Sequence, residues 1–170
     1  MIDVAVLRED PWPDAIDWEA LANRAVCAAI ERTPQGEWLT HPAVIEVAVR
    51  LTSNDEVQSL NRQYRVKDAP TNVLSFPMVQ ADLLDTVTSN SDDGEVLLGD
   101  IVLAYDVCVA EAGEKGISLD AHATHLIVHG TLHLLGHDHG DDAAAEAMEG
   151  LERDALASLG IADPYAPQED

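Results

Sequence analysis

The sequence has few basic residues, only two cysteines and no long apolar stretch, and each shortage excludes a class of protein. Nine lysines and arginines stand against 32 acidic residues, a net charge of −23, so the chain as a whole repels nucleic acid. Cys27 and Cys108 lie far apart in apolar surroundings, which predicts reduced thiols rather than a disulfide or a zinc-binding pair. No stretch approaches the length of a membrane span, and the first residues lack the basic and apolar regions of a signal peptide. We therefore expect a cytoplasmic protein without a membrane partner.

The few basic residues are unevenly distributed. Three of the nine, Arg62, Arg65 and Lys67, lie within six positions of one another. A basic patch on an acidic body can still guide a phosphate group into one cleft. The alternative is that these are ordinary solvated charges at the end of a helix, and composition alone favours that alternative.

Apolar periodicity predicts an α+β protein, a single domain over residues 1–170. Strands are expected at 2–7, 43–51, 73–77 and 97–104, and helices at 17–30, 53–65, 106–114, 119–135 and 141–159. This order favours a roughly four-stranded mixed sheet with helices packed around the apolar helix 119–135. A polar loop is expected at 85–95 and a loose tail at 166–170. The acids of the last helix are expected to face solvent.

Residues 129–139 read His-Gly-Thr-Leu-His-Leu-Leu-Gly-His-Asp-His. His129 and His133 are four residues apart, so on a helix they share one face and can share one metal ion. Gly136 can end the helix in a left-handed conformation, which lets His139 approach the same ion. Three neutral imidazoles with one open position are typical of a catalytic zinc site, and we predict a single Zn²⁺ at these histidines. The alternative is a hydrogen-bonded histidine cluster.

Two further histidines precede this motif on the same helix. His125 and His122 extend the stripe of His129 and His133, but a helix cannot wrap three such ligands around one small ion over two turns, about 12 Å of rise. They are expected to orient other residues or to pack.

The ligand and glycine spacing is also that of the metalloprotease pattern H-E-x-x-H-x-x-G-x-x-H. Gly130 stands where that pattern has the glutamate that acts as general base. The metal geometry is retained and the base is absent, which argues against peptide hydrolysis by the usual route and is compatible with a site for a phosphodiester.

The motif resembles the signature of the YbeY family, bacterial metal-dependent endoribonucleases. Residues 61–77, which include Tyr64-Arg65 and Pro70-Thr-Asn-Val-Leu-Ser-Phe-Pro77, are similar to the family's second signature, and residues 98–102 and 159–165 also fit. One position departs from the family: His137 follows Gly136 where tyrosine is usual, and a histidine there is a further potential metal ligand.

The resemblance implies a cytoplasmic hydrolase that matures the 3′ end of 16S ribosomal RNA and serves ribosome quality control, with single-stranded RNA as substrate. His129, His133 and His139 would hold the zinc ion. Arg65 would be the family's functional arginine, and it offers a fork suited to phosphate. Arg62 and Lys67 would join it in binding RNA. Ribosomal proteins or an assembly GTPase would be partners.

The general base stays unassigned. Asp138 is the nearest carboxylate in sequence, and we favour an orienting role for it beside His139, as for His125. Two alternatives to the nuclease remain: a non-catalytic, zinc-containing ribosome assembly factor, which the acidic charge favours, and a metallopeptidase, which Gly130 disfavours.

Overall fold

The computed structural model describes residues 1–65, 71–86, 95–138 and 140–165, without the side chains of Arg65, Ala81, Asp85 and Thr86. Four strands are present, β1 (Ile2–Arg8), β2 (Val44–Thr52), β3 (Val73–Pro77) and β4 (Glu95–Ala104). The α-helices of this part of the chain are α1 (Trp18–Glu31), α2 (Asn54–Arg65), α3 (Tyr105–Lys115), α4 (Leu119–Leu134) and α5 (Asp142–Ser158). Short 3₁₀ helices occupy Pro34–Leu39 and Ala81–Thr86.

The strands form one mixed sheet in the order β1-β2-β4-β3. The first three strands in that order are parallel, and β3 pairs antiparallel with β4. The register of β2 on β4 shifts next to Gly99, where a Cβ would lie 2.5 Å from the carbonyl oxygen of Phe76. The strand therefore has a β-bulge at this point, together with a close backbone approach between β3 and β4.

The sheet buries a large core on one face and a small one on the other. Ile101 and Leu103 of β4 pack with apolar residues of α1, α4 and α5 in the large core. Val102 and Ala104, which alternate with them, pack with Val57 of α2 in the small one. Period-two alternation along β4 thus places helices on both faces of the sheet.

Helix α4 lies at the centre of the helical layer. It begins after the N-cap Ser118, whose side chain accepts a hydrogen bond from the Ala121 N–H at 3.2 Å. Helices α1 and α5 begin in the same way, at Asp17 and Asp141. Most side chains of α4 are buried, including His122 and His125, because α1, α3, α5 and the sheet all contact it.

The predicted fold class and element order are confirmed. The predicted loop 85–95 is only partly described. Residues 85 and 86 belong to the 3₁₀ helix Ala81–Thr86, and residue 95 is the first of β4. Residues 87–94 and the predicted tail 166–170 lie outside the described residues. Cys27 and Cys108 are free thiols. No helix in the described part of the chain combines the length and apolar character required to span a bilayer.

Candidate metal centre

His129 and His133 bring two imidazole nitrogens to one point on the surface of α4. Their Nε2 atoms lie 3.0 Å apart, and their ring centroids are 4.5 Å apart at an interplanar angle of 79°. Both rings are partly exposed, in contrast to the buried His122 and His125 earlier on the same stripe. The two rings thus share one helix face as predicted, with their Nε2 atoms directed at each other.

The buried carboxylate of Glu152, on α5, fixes the tautomer of His129. The Nδ1 atom of His129 forms a short hydrogen bond with Glu152 Oε1. Because an ionised carboxylate only accepts, Nδ1 carries the proton, and in the neutral ring Nε2 then presents its lone pair toward His133. A carboxylate behind a histidine in this way is typical of metal sites, where it orients the ring and raises its basicity.

The pair of nitrogens fits a zinc ion. Two ligands at about 2.0–2.1 Å from a tetrahedral zinc lie about 3.3–3.4 Å apart, so the observed 3.0 Å requires a shift of only a few tenths of an ångström. The same separation also suits an N–H···N hydrogen bond when no metal is bound. The observed separation is therefore compatible with a shared ion and with a hydrogen bond between the two rings.

Helix α4 ends in a left-handed turn at Gly136. Gly136 has φ of +90°. The N–H of Gly136 donates to the carbonyl of His133 and that of His137 donates to the carbonyl of Leu132, both at 3.0 Å, which is the Schellman pattern. The prediction that Gly136 ends the helix in a left-handed conformation is therefore confirmed, and the approach of His139 to the ion stays a prediction.

His139 itself lies outside the described residues, and so does any contact it makes. Consistent with this, the described residues contain no group of three histidine, cysteine or acidic side chains that could hold a metal ion.

Glu152 is the functional residue that sequence reasoning missed. The expectation that the acids of α5 face solvent is wrong here, because Glu152 has 0% exposure. Burial alone would raise the pKa of this carboxyl group, but the His125 and His129 rings and the Tyr165 hydroxyl together hold its pKa well below the usual range. The only signal was its position, four residues after Met148 and four before Leu156 on the apolar stripe of α5.

His125 lies beside the pair and does not join it. Its Nε2 is 3.8 Å from Glu152 Oε2 and 3.4 Å from the hydroxyl of Tyr165. Its ring centroid is 6.4 Å from that of His129. This placement accords with the predicted supporting role of His125.

His122 belongs to a separate polar contact at the other end of the stripe. Its Nε2 is 3.0 Å from Glu111 Oε1, and the same oxygen accepts from the Asn72 side chain at 3.0 Å. Burial lowers the pKa of His122 despite the nearby Glu111 carboxylate, so the ring is neutral at neutral pH. His122 therefore links α4 to α3 and to the start of β3.

Gly130 packs against the sheet and has no room for a side chain. A Cβ there would lie 2.9 Å from Ile101 Cγ2 and 3.1 Å from Ser75 Oγ. The position after His129 thus points at β3 and β4, away from the paired nitrogens. Close helix–sheet packing therefore leaves no room for the protease glutamate at this position.

The remaining predicted site residues are only partly described. Asp138 is exposed at the turn after α4. Arg62 is exposed near the end of α2, and Arg65 is the last residue of that helix. The side chain of Arg65 and all of Lys67 lie outside the described residues, so their distance to the histidines stays a matter of prediction. His137 is half-buried, and burial lowers its pKa.

Comparison with a family model and comparison with individual proteins indicate the same family. The family model described as Endoribonuclease YbeY matches residues 13–160. Proteins named Endoribonuclease YbeY are similar over the whole chain: that of Rhizorhabdus wittichii is 64% identical over 100% of both chains, and that of Sphingopyxis alaskensis is 60% identical over 99% of this chain and 100% of the relative. That of Novosphingobium aromaticivorans is 52% identical over 94% of each.

A solved structure also shares the fold. The solution structure of a protein from Thermotoga maritima matches with a TM-score of 0.52 and 22% identity, over 97% of this chain and 100% of that one. The extent and identity of the curated relatives confirm the resemblance carried by residues 61–77 and 129–139. The chain belongs to the YbeY endoribonuclease family.

Proposed function

We propose that this protein is a metal-dependent endoribonuclease that cleaves single-stranded ribosomal RNA, with one zinc ion held by His129, His133 and His139. The observation that carries the proposal is the pair of Nε2 atoms at 3.0 Å, with the tautomer of His129 fixed by Glu152. Three imidazoles and an open position suit zinc better than the oxygen-preferring Mg²⁺ or Ca²⁺. When bound, the ion supplies Lewis acidity that activates water and neutralises charge on phosphate oxygens.

The protein's own residues have separate tasks in this scheme. Arg65 ends α2 and offers a planar guanidinium that can hold two phosphate oxygens at once. Arg62, exposed three residues earlier, and Lys67 extend this basic segment along the RNA backbone. Asp138, next to His139, orients that ligand, and His125 supports Glu152. Helix packing at Gly130 keeps a glutamate base out of the site.

The substrate and partners follow from the family and the charge. The relatives are named endoribonucleases, which supports RNA as substrate, and we place the reaction at the 3′ end of small-subunit ribosomal RNA. The net charge of −23 suits contact with basic ribosomal proteins or an assembly GTPase outside the basic segment. The free thiols of Cys27 and Cys108 support a reducing, cytoplasmic setting.

An RNA cleavage assay with an arginine variant tests the proposal. The zinc-loaded protein is expected to cleave a labelled single-stranded RNA, and Arg65→Ala to lower the rate about 10- to 100-fold. A charge-assisted hydrogen bond is worth about 1.5–3 kcal/mol, and about 1.4 kcal/mol corresponds to tenfold. Arg24→Ala is the matched control, because Arg24 is exposed on α1 and its replacement removes the same charge.

Three outcomes would change this proposal. A wild-type rate for Arg65→Ala would remove Arg65 from the machinery while leaving the nuclease in place. Hydrolysis of a peptide substrate by the same zinc-loaded preparation, with the RNA left intact, would establish a metallopeptidase instead. Zinc binding without cleavage of either substrate would leave the assembly factor as the remaining function.

A further inference from the structure

A series of hydrogen bonds connects Tyr165, in the turn after α5, to His129 on α4. The hydroxyl of Tyr165 donates to Glu152 Oε2, and the other oxygen, Oε1, accepts from His129 Nδ1. The series therefore joins three parts of the sequence: the turn after α5, the middle of α5, and α4. Each oxygen of the buried carboxylate has its own partner.

Tyr165 is itself held in place from several sides. Its N–H donates to Asp163 Oδ1 at 2.8 Å, and Asp163 Oδ2 lies 3.3 Å from Arg153 Nε. Its ring stands edge-on to His125 with centroids 5.6 Å apart, and the Arg153 guanidinium carbon lies 5.9 Å from the ring centroid. The turn that contains Asp163 thus fixes where the phenol can donate.

We infer that Glu152 and Tyr165 are positioning residues of the metal centre, acting on the ion through His129. The inference rests on the proposed function of the site and adds two residues to it. Glu152 holds the His129 ring with Nε2 toward His133. The Tyr165 hydroxyl donates a hydrogen bond to Glu152 Oε2 and thereby prevents the carboxylate from rotating away from His129.

The geometry requires both residues. Glu152 is fully buried, so a carboxylate oxygen that loses its partner is not exposed to bulk solvent. Without Tyr165, the carboxylate is free to turn toward His125, whose Nε2 is 3.8 Å from Oε2. Without the carboxylate, His129 loses the acceptor that fixes its tautomer, and its Nε2 is no longer kept ready for an ion.

The test is the affinity for Zn²⁺, measured by competition with a chromophoric chelator on the full chain. Glu152→Gln keeps the shape and removes the charge, and it is expected to weaken zinc binding about 10- to 100-fold. Tyr165→Phe removes only the hydroxyl and is expected to weaken binding by about tenfold. The visible spectrum of bound Co²⁺ should change in both variants, because the His129 ring moves.

Matched controls separate positioning from folding. Glu146→Gln makes the same change at an exposed position of α5, and Tyr105→Phe removes a hydroxyl from a ring that packs on Trp12. Both should bind zinc within about twofold of wild type. Far-UV circular dichroism checks folding, and Tyr165→Phe keeps the inference testable if Glu152→Gln does not fold.

The possible outcomes distinguish a failure of this inference from a failure of the proposed function. Wild-type zinc affinity and an unchanged Co²⁺ spectrum in folded Glu152→Gln and Tyr165→Phe would overturn the inference and leave the metal site standing. Failure of the wild-type protein to bind zinc would overturn the proposed metal site and the positioning roles with it. A change in zinc affinity or Co²⁺ spectrum in Glu152→Gln alone would show that Tyr165 has no positioning role.

Discussion

Replacing His133 with alanine is expected to lower the affinity for zinc at least about 100-fold and to reduce RNA cleavage on the order of 1,000-fold. The variant removes one of the two nitrogens that face each other at 3.0 Å, so the remaining ligands no longer enclose an ion. A metal ion supplies several kcal/mol of charge stabilisation to phosphoryl chemistry, and each 1.4 kcal/mol is about tenfold in rate.

Chelator competition and a single-turnover RNA assay measure the two effects on the same preparation. His41→Ala is the matched control, because His41 precedes β2 and its Nδ1 accepts a local hydrogen bond from the Ala43 N–H at 3.0 Å. If His133→Ala binds zinc and cleaves RNA like wild type, the pair of nitrogens is not a metal site and the hydrogen-bonded histidine cluster replaces it.

Filling the space at Gly130 is expected to destabilise the protein. Gly130→Ala should lower the free energy of unfolding by about 1–3 kcal/mol, because its Cβ would overlap the branched, buried side chain of Ile101. Gly130→Glu should cost more than about 3 kcal/mol, since it also buries a carboxylate against the sheet. Urea unfolding with a constant m-value measures both.

The control substitution is expected to change the free energy of unfolding in the opposite direction. Gly150 lies in the middle of α5, and a Cβ added there would meet nothing within 4 Å. Gly150→Ala should therefore raise stability by about 0.5–1 kcal/mol. A Gly130→Ala protein as stable as wild type would contradict the packing account. So would a folded Gly130→Glu protein that hydrolyses peptides, because that side chain would then reach the metal.

Local chemistry explains why much of the fold was predictable. Asp17, Ser118 and Asp141 cap their helices with hydrogen bonds to residues three positions ahead, and such contacts depend only on neighbouring sequence. The same is true of the left-handed turn at Gly136. Alternation along β2 and β4 likewise follows from which face of each strand is apolar.

The features that could not be predicted depend on contacts between distant segments. The order β1-β2-β4-β3 requires knowledge of which strands pair, and Gly130 is explained only by the approach of α4 to Ile101 and Ser75. In the sequence, Glu152 does not differ from the other acidic residues of α5. Its partners lie on α4 and in the turn at Tyr165, which are distant in sequence. The carboxylate behind His129 could therefore not be predicted, although the proposed ligands were visible as a motif.

The most direct test of the central claim is RNA cleavage by the metal-stripped protein before and after zinc is restored. The account predicts no cleavage without metal, recovery that saturates at about one zinc per chain, and no recovery in His139→Ala, which lacks the third proposed ligand. Cleavage by the stripped protein at the full rate, or full recovery in His139→Ala, would contradict it.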